Sequence, residues 1–379
     1  MAQNPKVRIA LIGGGTIAPL HAEYLMPSPT CELVAIVDPY PPGCALASTL
    51  SLPHFESVAS LLNSLQEPPD AYVICVPSNL HVSIARDVIH RAQPKALLIE
   101  KPFCTDSKSG TELLALANEK GCKILVGHHR RFHPSLSITR SAIENGKIGK
   151  ITAISGLWTA KKDAGYFASA SWRATRSAGG GPIWTNFVHD IDALHFLTGA
   201  RVTCVWAINT TTRRKHENVA ADDIVEEGAA IMAQFSNGVV GTFLVSDNVA
   251  SPYGWESATG DNPLYPKAGT PVDIYRILGT KGTISVPENT LWTYDPETAD
   301  RYNEEAGWKT PMVRITLPVT QGIPFQQQAE HLARVVCNLE DPLCSAEDGL
   351  AAVSVCEAII TALKAKDGLP VSVLDVSRV

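Results

Sequence analysis

The chain has 379 residues, of which 45% are hydrophobic and 18% charged, and its formal net charge is −6. That length exceeds what one core needs, so two domains are expected, and the composition excludes global disorder. An acidic balance without any clustered basic run excludes a general nucleic-acid binder. Nine cysteines lie scattered at 31, 44, 75, 104, 122, 204, 337, 344 and 356 with no C-x-x-C pair. Neither a disulfide framework nor structural zinc is indicated, and a reducing, cytoplasmic location is expected. The opening "MAQNPKVRIALIGGG" enters a strand pattern at once, leaving no room for a signal peptide, and no apolar run is long enough to span a bilayer. No membrane partner is expected. The "NTT" sequon at 209 to 211 means nothing without a secretory signal, and the terminal "SRV" is only distantly like a peroxisomal tripeptide.

"VRIALIG" at 7 to 13 reads as a strand buried on both faces. It runs into G-x-G-x-x-A at Gly13, Gly15 and Ala18, a helix, and a second strand "CELVAIVD" that ends in Asp38. In that strand, turn, helix, strand setting the motif is a dinucleotide site: Gly13 for the tight turn, Gly15 for close approach of the pyrophosphate, Ala18 for helix packing. Thr16 and Ile17 open the helix facing the anion. The Asp38 carboxylate accepts from a ribose 2′-OH and repels a 2′-phosphate, so NAD is expected, with NADP as the alternative.

Helix and strand signals then alternate: "FESVASLLNSL", "AYVICVP", "HVSIARDVIHRA", "KALLIEKP", "SKSGTELLALANEKG" and "KILVGHH". This succession predicts an α/β, doubly wound parallel sheet with ligands at the carboxyl ends of its strands. Two of those ends are chemically marked. "CVPSNLH" supplies Val76, Pro77, Asn79 and His81, and "EKP" supplies Glu100 and Lys101, all expected to line the cofactor. A lysine where a buried strand meets a proline points into the crevice, where its ammonium can polarise a carbonyl or orient a hydroxyl.

The second half is strand-like in "ITAISGLWTA", "VTCVWAINTT", "GAAIMAQFSNGVVGTFLVS", "VDIYRILGTKGTISV" and "MVRITLPV", with period-two alternation and Asn-Gly or Lys-Gly turns. Before these, "GGGPIWTNFVHDIDALHFLTG" at 179 to 199 reads as a buried helix carrying a histidine and two aspartates. At 3.6 residues per turn Thr185, His189, Asp192 and Phe196 share one side, with Asn186 about 60° from His189. Taken alone, His189 is a hydrogen-bonded core histidine.

These segments together, with "VGHHRRFHP" at 126 to 134, "ILGTKGTISVP" at 277 to 287 and the final "GLPVSV", resemble the glucose-fructose oxidoreductase / inositol dehydrogenase / MocA (Gfo/Idh/MocA) family over essentially the whole chain. The resemblance implies a Rossmann domain at 1–130 and a substrate-binding and oligomerisation α/β domain at 131–379 built on an open, mostly antiparallel sheet. The active site would lie between the two, and the C-terminal helix could return to the first domain. It implies Lys101 as the catalytic or substrate-orienting lysine and His189 as the acid/base. Relatives with inositol dehydrogenase activity carry an aspartate where this chain has Thr185, which cannot supply a charge, so Asp192 or Asn186 beside it tunes His189, or the chemistry differs from inositol oxidation.

The resemblance also places His129, Trp172 and Arg173 against the cofactor, and Lys161, Tyr166, Arg173, Asn186, His189 and Lys101 against a polar substrate. His128, His129 and His133 lack a carboxylate or cysteine spaced to complete a metal site, so no metal is expected. Arg131 is a structural or substrate contact. The aperiodic insertion at 251 to 271 is a candidate lid or oligomer contact. The implied activity is hydride transfer between a nicotinamide and a hydroxyl-bearing carbon of a sugar or cyclic polyol, in a homodimer or homotetramer formed through the C-terminal sheet. Its rivals are a redox-neutral lyase that uses NAD transiently and a non-catalytic dinucleotide sensor.

Overall fold

The structure, a computed structural model, describes residues 6–214, 219–220, 222–262, 265–295, 307–365 and 367–376. The first five residues, the "SRV" tripeptide and two positions of the 251–271 insertion lie outside the described residues. Two compact units form: 1–132 with 323–354 and 376–379, and 133–322 with 355–375. The second unit is thus interrupted at 323–354, within the 131–379 domain whose C-terminal helix the resemblance allows to return to the first.

In the first unit six parallel strands, β1 (Val7–Ile12), β2 (Cys31–Val37), β3 (His54–Phe55), β4 (Ala71–Ile74), β5 (Ala96–Ile99) and β6 (Lys123–Val126), run in the order 3-2-1-4-5-6. The order reverses between β1 and β4, which puts a ligand crevice at their carboxyl ends. β4 and β5 are buried at every position, the reason they read as unbroken apolar runs. Five helices cross over: α1 (Ala18–Leu25), α2 (Pro41–Leu50), α3 (Val58–Ser64), α4 (His81–Ala92) and α5 (Ser107–Lys120). Prolines open α2, where a missing N–H goes unnoticed.

The second unit opens with α6 (Pro134–Glu144) and β7 (Ile151–Thr159), then α7 (Ala164–Ala168), a π-helical turn at Ile183–Phe187, and α8 (Val188–Thr198). Next come β8 (Val202–Asn209), β9 (Gly228–Phe235), β10 (Val240–Ser246), α9 (Trp255–Thr259), β11 (Tyr275–Gly279), β12 (Gly282–Val286), β13 (Thr290–Tyr294) and β14 (Met312–Thr316). The chain returns to the first unit through α10 (Pro324–Val336), divides α11 (Ala346–Ala365) between the units, and adds β15 (Val371–Ser372) to the second sheet. That sheet runs β14-β13-β12-β11-β7-β10-β9-β8-β15, with β7 and β10 parallel and the other neighbours antiparallel.

One face of this sheet buries Val205, Ile231 and Phe243 against Ile191 and Leu194 of α8 and Val355 and Ile359 of α11. α8 is buried from Val188 to Leu197, so it shows little amphipathic pattern in the sequence. α10 joins the first unit for a plain reason: its Ala329, Leu332, Ala333 and Val336 complete the core around Ile9, Ala22, Leu25 and Cys31. Each such side chain taken from water contributes roughly 1.5–3 kcal/mol when large and aliphatic.

Candidate functional site

In the β1–α1 turn Gly13 has φ +97°, and a Cβ there would lie 2.8 Å from the Cys75 carbonyl carbon and oxygen. A Cβ on Gly14 would lie 2.4 Å from the Gly43 Cα, whereas one on Gly15 meets nothing nearer than the Cys75 oxygen at 4.0 Å. The turn is therefore closed on the protein side and open at Gly15, where backbone can meet a diphosphate. Gly15 and Thr16 are exposed and Ile17 is half-buried. The Ala18 and Leu20 N–H groups of α1 already donate to the Gly15 and Ile17 carbonyls and Pro19 has none, so the turn itself, at Gly15 and Thr16, is what can meet an anion. The Gly14 N–H donates to Asp38 Oδ2 at 2.6 Å and the Tyr40 N–H to Oδ1 at 2.9 Å. These bonds fix the carboxylate while each oxygen keeps a lone pair for a ribose hydroxyl. The chain's own residues thus fit a dinucleotide.

At the end of β4, Val76 is half-buried, and Pro77 and Asn79 are exposed. His81, expected beside them, is 1% exposed with its ring nitrogens facing the Pro102 and Val76 carbonyl oxygens at 2.8 and 2.9 Å. It buttresses the two loops and does not line the crevice. Glu100, also expected to line the cofactor, turns inward as well. Its carboxylate accepts from His21 Nε2 at 2.8 Å and from the Lys101 N–H at 3.1 Å, and it is buried. Burial pushes that carboxyl up, but the His21 bond and charge, with Lys101 and His129, more than offset it and hold it down to about 2. Glu100 is a fixed anion under Lys101, which itself is half-buried at the strand end.

His129 stacks on Phe325 with centroids 4.5 Å apart, and His21 meets the same ring edge-on at 5.3 Å. Phe325 escapes sequence reasoning because it lies on α10, far from any motif, and His21 because its side chain turns inward from the helix the glycine motif opens. His133 caps α6 by accepting from the Ser135 N–H and packs on Trp255, and Arg131 Nη1 donates to the Leu343 carbonyl and Asp348. Arg131 is thus structural. Among the described residues no group of three or more His, Cys, Asp or Glu gathers as a metal site.

In the second unit the expected substrate lysine and its neighbour differ in burial. Lys161 is exposed, bridging to Asn248, while Lys162 is buried. Adjacent residues in extended backbone point to opposite sides, and pairing with 247–248 decides which side each takes. The Lys162 ammonium donates to Asn186 Oδ1 at 2.7 Å and to Thr185 Oγ1 at 3.3 Å, and lies 4.5 Å from the Tyr166 ring centroid. Burial pushes it down to about 8, against the pull of Asp247 and Glu256. Arg173 stacks on the Tyr166 ring at 4.2 Å and donates to the Tyr166 carbonyl and Ser169 hydroxyl, beside a Trp172 that is 40% exposed.

Thr185 and Asn186 sit in the π-helical turn, so the even 3.6-residue spacing assumed for 185 to 196 breaks just before His189. His189, Asp190 and Asp192 are all buried, and Asp190 accepts from the Tyr275 hydroxyl. Glu226 accepts from the Ile183 N–H at 3.2 Å, with Arg176 at 3.4 Å, and burial pushes its carboxyl up to about 7. Arg214 pairs with Asp247 and Glu227 under the Phe167 ring. The acid pair before β9 was the one sequence signal for this network. The 251–271 insertion contains a packed helix, with Trp255 fully buried and donating to Asp261.

Two family models match the chain. One describes the oxidoreductase family with NAD-binding Rossmann fold, over residues 7–128, and the other the GFO/IDH/MocA C-terminal domain, over 138–285. Inositol 2-dehydrogenase of Rhizobium meliloti (strain 1021) is 23% identical over 368 residues, 95% of this chain and 98% of that one. Levoglucosan dehydrogenase of Pseudarthrobacter phenanthrenivorans is 24% identical over 268 residues, 64% of this chain and 68% of that one. The WlbA dehydrogenase from Bordetella pertussis, solved with NADH and UDP-GlcNAcA, has the same fold: TM-score 0.74, 23% identity, covering 98% of this chain and 100% of that one.

Proposed function

Since the chain belongs to the Gfo/Idh/MocA oxidoreductase family, with one family model on each unit, we propose that it is an NAD-dependent dehydrogenase of sugars, cyclic polyols or related polar alcohols. The observation that carries this reading is the Gly13–Gly15 turn, closed behind by Cys75 and fixed beside Asp38. The cofactor supplies the hydride acceptor when bound. Lys101, above the fixed Glu100 anion, holds the hydroxyl oxygen. His189 takes the hydroxyl proton as the C–H electron pair leaves, and returns it in the reverse direction. Trp172, Arg173, Tyr166 and Asn186 are the residues we assign to the substrate side. Asp38 favours NAD over NADP by charge.

Two coarser features complete the proposal. The scattered cysteines, with no C-x-x-C pair, are in keeping with a cytoplasmic enzyme, and no described helix is long and apolar enough to cross a membrane. A second copy of this chain would cover the exposed apolar face of the nine-stranded sheet.

Purified protein titrated with NAD⁺, NADH and their 2′-phosphorylated forms, and then followed at 340 nm with polyols, sugars and keto-sugars, tests the reading. NADH production or consumption with some panel member is expected, and Lys101→Ala and His189→Ala each lower turnover at least about 100-fold with NADH affinity kept. Substrate loss without net NADH change would replace the dehydrogenase with the redox-neutral lyase. Cofactor binding without any turnover would favour the sensor.

A further inference from the structure

Lys162 is 8% exposed, yet among the described residues no carboxylate stands within ion-pair distance of its ammonium. Asp247 and Glu256 reach it only through longer-range attraction, opposed by Arg214 and Arg173. Lysines held in a core are ordinarily paired, because an ammonium loses strong hydration there. This one is bound to an amide and a hydroxyl instead. Two of its three N–H donors go to Asn186 and Thr185, and the third lies beside the Tyr166 ring.

The same bonds orient Asn186. Its Oδ1 accepts from Lys162 and lies 2.8 Å from the Thr185 hydroxyl, so a flipped amide would set donor against donor. The Nδ2 group, with two hydrogens, must therefore point away from Lys162. Thr185 now has a physical explanation. An aspartate there, near an ammonium 3.3 Å from the present hydroxyl, would take Lys162 into an ion pair and turn its free donor aside.

We propose that Lys162 and Asn186 form a two-donor clamp for neighbouring oxygens of a vicinal diol, with the Tyr166 ring, stacked against both the Lys162 ammonium and Arg173, holding the ammonium in place. Lys162 donates to one oxygen and Asn186 Nδ2 to the next. The clamp rests on the dehydrogenase reading only in that His189, three residues beyond Asn186, acts on a hydroxyl of the same ligand. A site built from such donors rejects an analogue lacking one hydroxyl, because a buried donor is then stranded.

The test uses the full-length protein with NADH and, as probes, myo-inositol, D-glucose, levoglucosan and D-glucuronate with single-deoxy counterparts, by calorimetry and by 340 nm kinetics. Lys162→Met is expected to weaken binding of each polyol that the wild type holds by at least about 10-fold, and to erase discrimination against the deoxy forms. NADH affinity stays within about two-fold. Asn186→Leu and Thr185→Asp are expected to act in the same direction, and they carry the test if Lys162→Met fails to fold. Unchanged polyol binding in the folded variants overturns the clamp, as does a wild type that binds NADH but none of the polyols. Polyol binding that is lost in the variants, with no NADH change anywhere, keeps the clamp and removes the dehydrogenase reading.

Discussion

A single methyl group separates folding from binding in the β1–α1 turn. At Gly13 a Cβ meets the Cys75 carbonyl at 2.8 Å with φ at +97°, so Gly13→Ala must move β1 or β4. A loss of about 1–3 kcal/mol is expected, visible as a lower melting temperature without ligand. Gly15 has open space, so Gly15→Ala should melt like the wild type yet bind NADH at least about 10-fold more weakly, because its methyl occupies the approach of the diphosphate. Equal effects of the two substitutions on melting would refute this division. Gly13, Gly15 and Asp38 were legible because their roles follow from spacing along one strand, turn and helix. Lys161 and Lys162 could not be told apart, since the choice depends on pairing with Asn248, 87 positions away by subtraction of 161 from 248. His81 and Glu100 sit in the right motifs, but their partners, Pro102 and His21, turn them inward.

The π-helical turn shows what periodicity cannot reveal about an element. Ile183, Trp184, Asn186 and Phe187 are all buried, so no polar stripe marks where the spacing slips. Its start is held by Glu226, which accepts from the Ile183 N–H across 43 residues of sequence. That carboxyl is raised from 4.5 to about 7 by burial, so between those values the folded chain holds a proton that the unfolded chain has released. Stability therefore falls as pH rises from about 4.5 to 7, by up to about 3 kcal/mol. Glu226→Gln keeps the acceptor for Ile183 and abolishes that slope. The variant should melt above the wild type at pH 8 and lose the advantage near pH 5. Parallel melting curves across that range would show that Glu226 titrates normally. Glu100 works in the opposite sense: depressed to about 2, it stabilises above its ordinary range, and this contribution is lost as pH falls toward 2.

Over the whole molecule the alternation of strands and helices located the parallel sheet, and strand patterns located the second sheet. That α10 joins the first unit was not legible, because its apolar face fits many partners and only the core around Ile9 and Leu25 selects it. The second sheet poses the larger question, for it is apolar on both faces. Register aligns Ile208, Ala230, Leu244 and Leu157 in one row across β8, β9, β10 and β7, with Trp206, Met232, Thr242 and Ser155 in the next. Ile208 is 65% exposed, Met232 42% and Leu244 39%, on the side away from the buried Val205, Ile231 and Phe243. Contiguous rows of this kind mark association surfaces, and a twofold pairing of one such face with itself needs no second partner. Light scattering of the wild type at micromolar concentration should therefore report a dimer or tetramer. Leu244→Lys combined with Met232→Lys sets like charges against each other across the twofold, and should yield monomers that still bind NADH in the first unit. A wild type that is already monomeric, or a double variant that keeps its mass, would show that this face is not where copies meet.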